Sequence, residues 1–590
     1  MSFSHKQWWG IIGMMGIVAL LYVLPHALFI QEEGKHFSGI YIDSMSDERF
    51  YTSRLRAYTD LKPVANPFIY ELRERELPIY YIIEPVLGLA WRILAVDTWQ
   101  FVLLMNILFP SLIAFFGFLL LYILTRKTTT ALIGAMILLL GNELIQINNW
   151  ATALSDVMRT LLMMGGKADF FLYARPVNPQ AVGVLFFAFL ALLAHIYIRN
   201  KSWKWSISTG LFLGVMPYIY IYYGLFLFVF VACLGITAYV LKKHTLAIQL
   251  AIILATGIAI FLPYLFTIAE QMAQSTPTEQ ASGVYTSGVR YTHTPRTEKV
   301  VLAPFIVMLI VLFVKKRKHE EIPDSYVFTT VALLAALICS NQQILTGREI
   351  QQHHFHFYVN IPLALLACSI LLHHFSVWVR QRSVPYERVL LAVIILFLVW
   401  YAVGVQVSGY RNNVVAYHTL QSYGVALDWL TEHIPKYTVI YTDDDVGELI
   451  TSYSPFYTYS PNAHVAIWLE TRERLMHNYF VRMALNNITP TEFPEFIRVP
   501  KNRGYAASFL YASYWKEQCG SFACISDAAL NNLELEYIQF MKTPLAKNLR
   551  KHKIDYLIWD TIINNEWDMK ALGTLKEEFA SGDLRVYRVL

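Results

Sequence analysis

Charge is scarce in this sequence. Asp, Glu, Lys and Arg make up 15% of it, whereas hydrophobic residues make up 56%. Ordinary globular proteins are roughly 25% charged. A mean hydropathy of +0.40 over 590 residues exceeds what a water-soluble core can bury. Five cysteines in so long a chain exclude a disulfide scaffold. A net charge of only +5, in short clusters between apolar runs, argues against nucleic-acid binding. High apolar content excludes disorder. No Walker lysine loop and no dinucleotide-binding glycine fingerprint is present, which argues against direct use of nucleotides.

What the chain has is long apolar runs. A span needs about 20 such residues. The first runs from Trp8 to Ile30 and lacks a small-residue cleavage site, so it reads as a retained helix. Phe101 to Leu124 carries no charge, and further runs lie near 129–147, 181–198, 246–268, 300–314, 326–341, 357–372 and 389–407. The uncharged block 205–241 would be roughly 55 Å long as one helix, nearly twice the hydrocarbon core. We expect two helices there, turning near Pro217 to Gly224. The fold class expected is a polytopic α-helical membrane protein of about eleven transmembrane helices.

The basic clusters orient it. Arg126-Lys127, Arg199 to Lys204, Lys242-Lys243, Lys315 to Lys318 and Arg380 to Arg388 all fall on the side of Lys6. By the positive-inside rule that side, and the N-terminus, are cytoplasmic. Long loops at 31–100, 148–180, 269–299 and 342–356 then lie outside, as does the tail. Residues 1–408 form the membrane module and 409–590 a C-terminal extracytoplasmic α/β domain. In the tail, 420–434 has helical spacing, and 438–443, 554–560 and 584–590 read as strands. Cys519 and Cys524 lie there, five residues apart, and could form a disulfide outside the cytoplasm. The acids Asp443, Asp444 and Asp445 look more like a loop or helix start than a cation site.

The first outer loop is dense in ionisable groups: Asp43, Asp47 and Glu48 against Arg49, Arg54, Arg56 and Lys62. Spacing predicts a helix over Asp47 to Leu61, with Phe50, Leu55 and Tyr58 inward and Asp47, Tyr51 and Arg54 on one face. Residues 79–96 read as a helix lying at the interface. In the second loop Arg175 stands near the membrane boundary, with Asp169 the nearest acid. Glu143 lies near the end of the third span, where an acid is functional by default. The loop before the late span 357–372 holds Arg348, Glu349, His353, His354 and His356. No Cys or HExxH pattern completes a zinc site there, so no metal ligand is assigned. Phosphate binding by Arg348 and His353 is a better reading than metal, with plain interface anchoring the alternative.

A first helix followed by an outer loop with an Asp-Glu pair, then Tyr and Arg, resembles the membrane glycosyltransferases of the C fold. Pro78 to Tyr81 is similar to that family's Pro-Pro-Leu-Tyr stretch. ALDWLTEHIPKYTVIYTDDD, LRKHKIDYLIWD and VYRVL resemble the tails of its bacterial members. The protein O-mannosyltransferases and the aminoarabinose transferase of lipid A belong to this family. The latter carries a Lys before its paired prolines. Here Glu76 and Leu77 stand there and one proline is missing, so the phosphate must find its positive charge elsewhere.

The resemblance implies transfer of a sugar from a polyprenyl-phosphate donor to an acceptor hydroxyl on the outer face, with inversion. Asp47 would be the catalytic base, and Glu48 would orient the acceptor or a cation. Arg54, Arg175, Arg348 and His353 are the donor-phosphate candidates. Asp43, Glu143 and Asp169 are secondary acids. No cofactor is assigned, and a divalent cation is left open. The acceptor would be a glycan, lipid or protein, the other partners membrane lipids, and the location a bacterial inner membrane. The rival readings are a polytopic transporter or lipid flippase, and a non-catalytic assembly protein on the same scaffold. The absence of internal repeats weighs against the transporter.

Overall fold

A computed structural model describes residues 3–43, 48–63, 66–74, 82–145, 150–163, 171, 173–199, 202–274, 289–350, 352–443, 446–461, 470–511 and 526–590. Cys519, Cys524, Asp444 and Asp445 lie outside the described residues.

The apolar runs are helices because hydrocarbon offers their backbone groups no partner outside the segment. They are α1 (His5–Glu33), α4 (Thr98–Thr125), α5 (Thr128–Leu140), α7 (Val182–Arg199), α8 (Trp203–Ile219), α9 (Ile221–Val240), α10 (His244–Gln274), α11 (Lys299–Arg317), α12 (Asp324–Cys339), α13 (Ile361–Arg382) and α14 (Val384–His433). Between them lie α2 (Glu48–Asp60), α3 (Ile83–Leu94) and α6 (Trp150–Leu161). Eight of the described helices, α1, α4, α7, α9, α10, α12, α13 and α14, are long and apolar enough to cross a membrane. The shorter α5 and α8 and the basic-ended α11 pack among them. The chain is thus a polytopic helical membrane protein.

Local chemistry sets the boundaries. α1 begins in a capping box, with Gln7 N–H bonded to Ser4 Oγ and Gln7 Oε1 accepting from Ser4 N–H at 2.8 Å. Asp97 and Gln100 repeat the device at α4. The block 205–241 breaks at Tyr220, whose backbone is extended (φ −160°, ψ 109°) just after Pro217. α8 then lies close along α10. A Cβ at Gly214 would stand 2.4 Å from Ile260 Cβ, and one at Gly210 2.6 Å from Thr256 Cβ. Small residues four apart permit this approach of two apolar helices.

The basic clusters meet at one end of the bundle. Lys127 pairs with Glu387, which also faces Arg380 at 3.9 Å, and Lys243 pairs with Asp324 at 2.6 Å. The helices expected over 389–407 and 420–434 are a single element, α14. At 1.5 Å per residue its 50 residues reach roughly 75 Å, through the bundle and on into the C-terminal domain.

That domain adds α15 (Gly447–Tyr453), α16 (Arg472–Leu485), α17 (Pro500–Tyr511) and α18 (Asp527–Met541). Its sheet comprises β3 (Val439–Tyr441), β4 (Tyr457–Thr458), β5 (Tyr556–Asp560), β6 (Leu575–Ser581) and β7 (Leu584–Val589), in the order β4-β3-β5-β7-β6. β3 runs parallel to β4 and β5, while β7 is antiparallel to β5 and β6. Alternate residues face opposite sides. Ile440, Ile558 and Val586 pack on the far end of α14 and on α15, and Val439, Tyr441 and Leu557 pack with Val481 and Leu485 of α16. A two-stranded ribbon, β1 (Val289–Tyr291) with β2 (Arg348–Ile350), ties the third long loop to the fourth.

α2 corrects the expected inward face. Leu55 is buried, but Phe50 and Tyr58 are only partly so, and the other buried positions are Glu48, Thr52, Ser53, Arg54 and Ala57. The reason is that α2 is covered on two sides. Ser53 Oγ meets Thr451 and Ser452 of α15 at 2.8 and 2.9 Å, and Gly88 lets α3 close on Tyr58. α3 itself buries Glu84, Leu87 and Trp91 and exposes the apolar side chains of Val86, Leu89 and Ile93.

Candidate active site

The first loop is fixed on α14 before it reaches its acids. Gln421 accepts from Ser38 N–H at 3.0 Å and donates to Ile40 O at 2.8 Å. This delivers Asp43 to a buried cluster. Arg49 Nε donates to Asp43 Oδ2 at 2.7 Å and its Nη2 reaches Tyr417 Oη at 3.3 Å, while Tyr417 also donates to Asp43. Burial works against the Arg49 charge, but Asp43, Tyr417 and Tyr453 outweigh it and hold the guanidinium above its ordinary range. Burial, then Glu48, Tyr453 and Asp43, push the Tyr41 phenol up. Asp43 is therefore an internal partner of Arg49, which anchors the start of α2.

Asp47 lies outside the described residues. Its neighbour Glu48 opens α2 and is 2% exposed. Glu48 lines a cavity of about 10 Å³, room for one water, with Tyr22, His26 and Gln406 from α1 and α14, and with Ala174. The residue after Ala174 is Arg175. It is buried, its Nη2 donates to Tyr358 Oη at 2.6 Å, and its guanidinium sits 5.8 Å from the centre of the Tyr51 ring. Asn178 Nδ2 holds the Tyr51 hydroxyl at 3.0 Å. Glu48 and Tyr51 are three apart on α2 and so share a face. The structure thus gathers an acid of the first loop and the arginine of the second at one corner of the helical bundle.

Tyr358 extends this corner to the fourth loop. Its ring centre lies 5.9 Å from those of both Tyr220 and His354. His354 stacks on Tyr222 at 4.4 Å and is hydrogen-bonded to Tyr220. The histidines diverge. His353 is exposed beside Phe357, whereas His356 Nδ1 meets Glu298 at 3.0 Å. Among the described residues no three of His, Cys, Asp and Glu are placed to share a metal. Arg348 is described by its backbone, which pairs with Tyr291 in the β1–β2 ribbon.

Two other candidates have partners of their own. Arg54 binds Glu84 of α3 through Nε and Nη2, both at 2.7 Å, in a buried pair. Burial raises the Glu84 carboxyl and Arg54 opposes the rise. Glu143 is half-buried and accepts from Asn142 Nδ2 at 3.0 Å. Asp169 lies outside the described residues. Sequence reading missed Tyr358, Asn178, Tyr417 and Glu84. A usable signal was present in the four tyrosines Tyr218, Tyr220, Tyr222 and Tyr223, unusual polar groups within an uncharged apolar block.

No family model matches the chain and no curated protein matches it. Solved structures do. An apo oligosaccharyltransferase of Archaeoglobus fulgidus is similar over 95% of this chain and 71% of its own, at 11% identity and a TM-score of 0.48. The archaeal oligosaccharyltransferase AglB of the same organism, in complex with an inhibitory peptide and a dolichol-phosphate, gives 12% identity, 95% and 70% coverage and 0.46. ArnT of Cupriavidus metallidurans, bound to undecaprenyl phosphate, gives 10% identity, 77% and 86% coverage and 0.44. With TM-scores below 0.5, these likenesses assign no activity, ligand or residue role to this chain.

Proposed function

We propose that this protein is an integral-membrane glycosyltransferase. It takes a sugar from a polyprenyl-phosphate donor and gives it to an acceptor hydroxyl on the outer face of the membrane, with the C-terminal domain on that face. The reading supposes a bacterial inner membrane and an inverting, single-displacement reaction. Its support is the corner where Glu48 and the buried Arg175 converge at the junction of apolar helices with the polar domain. A guanidinium in low dielectric binds an anionic oxygen strongly, and an adjacent carboxylate serves acid–base chemistry.

In the proposed step the acceptor hydroxyl gives its proton to Asp47. Its oxygen forms the bond to the anomeric carbon from the face opposite the phosphate. The bond to the donor phosphate breaks, and its electrons leave with the polyprenyl phosphate, whose growing negative charge Arg175 stabilises. Glu48 orients the acceptor, and Tyr358 and Tyr51 hold the arginine in place. The test is mass spectrometry of lipids co-purifying with the protein in native-membrane discs. A polyprenyl-phosphate sugar should be retained by the wild type and lost from Arg175→Gln. Its absence from the wild type, in membranes that contain such lipids, would overturn the reading.

A further inference from the structure

A second site lies at the other end of α2. Beyond Asp60 the first loop runs onto the C-terminal sheet, where Phe68 O accepts from Thr458 N–H of β4 at 2.9 Å. Loop and sheet enclose an open cleft of about 630 Å³. This is within the usual range for ligand pockets. The 13 residues of α2 set it roughly 20 Å from Glu48.

Four cations line the cleft: Arg73 from the loop, Lys436 before β3, Lys553 before β5 and Arg588 from β7. Its one acid among the described residues, Asp555, is already engaged. It accepts from Val439 N–H at 2.8 Å and faces Lys553 at 3.5 Å. Arg73 pairs with the highly exposed Glu74 at 3.3 Å and donates to Tyr70 O at 2.8 Å. Lys436 and Arg588 are exposed and have no ion pair among the described residues. The cleft therefore carries a positive excess that the fold does not neutralise.

Tyrosines form much of the remaining wall. Tyr70 packs edge-on against Tyr457 at 5.5 Å, with Arg73 and Lys553 each 4.0 Å from its ring centre. Tyr437 is held at φ +68°, a left-handed conformation that residues with a Cβ seldom adopt. Its hydroxyl donates to Asp60 O at 3.3 Å and its N–H to Pro455 O at 3.2 Å, which fix the ring in the cleft wall. A strained, doubly tethered aromatic at a cleft is the kind of outlier that points to a ligand.

We infer that this cleft binds an anionic oligosaccharide. Tyr457 and Tyr556 are buried, but the partly exposed Tyr70 and Tyr437 suit the apolar parts and hydroxyls of sugar rings. Four cations drawn from four separate segments suit a chain bearing several carboxylates more than a single compact anion. The inference concerns binding at a place remote from the proposed transfer site, so it stands or falls separately from that reading.

The test is calorimetric titration of the full-length protein in lipid discs with hexagalacturonate, maltohexaose and inorganic phosphate. Hexagalacturonate should bind at least tenfold more tightly than either control. Lys436→Glu with Arg588→Glu should weaken it at least tenfold at an unchanged melting temperature, since both side chains are exposed. Tyr437→Gly accommodates the left-handed backbone and removes the ring, and should also cost at least tenfold. Three outcomes would each overturn the proposal: no hexagalacturonate binding at millimolar concentration, equal binding of either control, or affinity unchanged in both variants.

Discussion

Arg175 and Tyr358 are bonded across 2.6 Å although they come from distant segments, one just before α7 and the other in the helical turn that leads into α13. The bond places a fixed positive charge against Tyr51 of the first loop, so three separate segments define one corner. Removing a hydrogen bond to a charged group costs about 1.5–3 kcal/mol, roughly tenfold to a hundredfold in affinity. Arg175→Gln should lower retention of the polyprenyl-phosphate lipid by that factor at an unchanged expression level. Tyr358→Phe keeps the charge and loosens its geometry, and should have a smaller effect. Mass-spectrometric lipid occupancy measures both.

Asp47→Asn keeps the shape and removes the basicity. Turnover should fall by at least about a hundredfold while lipid occupancy stays near normal. Glu48→Gln should hurt less, because orientation and not proton transfer is its proposed role. Asp47→Asn with more than about a tenth of wild-type turnover would exclude Asp47 as the base.

The Arg54–Glu84 pair joins α2 to α3 and is buried on both sides. Removing one partner leaves an uncompensated charge, at a cost of about 3–5 kcal/mol. Arg54→Met alone should therefore lower the melting temperature clearly. Arg54→Met with Glu84→Leu should recover much of the loss, because a packed apolar pair avoids the desolvation of both ions. Thermal melts of the purified variants decide this. A double variant no better than the single would argue that Arg54 has a role beyond the pair.

Acid should loosen the C-terminal domain. Burial first, then Arg474, His552 and Lys551, pull His477 down to about 3. Burial and Arg474, opposed by Glu71, pull His552 down to about 4. Both are neutral in the folded domain at pH values where an unfolded chain, with a histidine value of about 6.5, binds protons. The unfolded state then holds more protons, so this stability is complete above about pH 6.5 and is lost as the pH falls towards 4 and 3. Melting temperature should drop across that window. His477→Gln, which can still bond Tyr459 Oη, should flatten the drop.

How much of this was legible differs from residue to residue. The break at Tyr220 followed from length alone, since one uncharged block was too long for a single span. β3, β5 and β7 followed from alternation and β-branched residues. The unity of α14 was hidden because Arg411, Glu432 and their neighbours restore charge without breaking helical geometry. Chemistry in one stretch was visible: the acids of the first loop and the isolated Arg175. Partnerships were not, because Asp43–Tyr417 and Arg54–Glu84 depend on how distant elements pack. The histidine run shows the same dependence on packing. Its members are neighbours in sequence, but Tyr220 and Glu298 draw them apart.

The unbroken helix α14 has one more consequence. Between the bundle and the domain it acts as a rigid shaft, so the angular setting of the tail is inherited turn by turn from the membrane segment. One alanine inserted near Asn412 would rotate everything beyond it by about 100° and advance it by about 1.5 Å. Tyr417 would leave Asp43, and Gln421 would leave Ser38 and Ile40. The phase of this helix therefore sets where the first loop's acids come to rest.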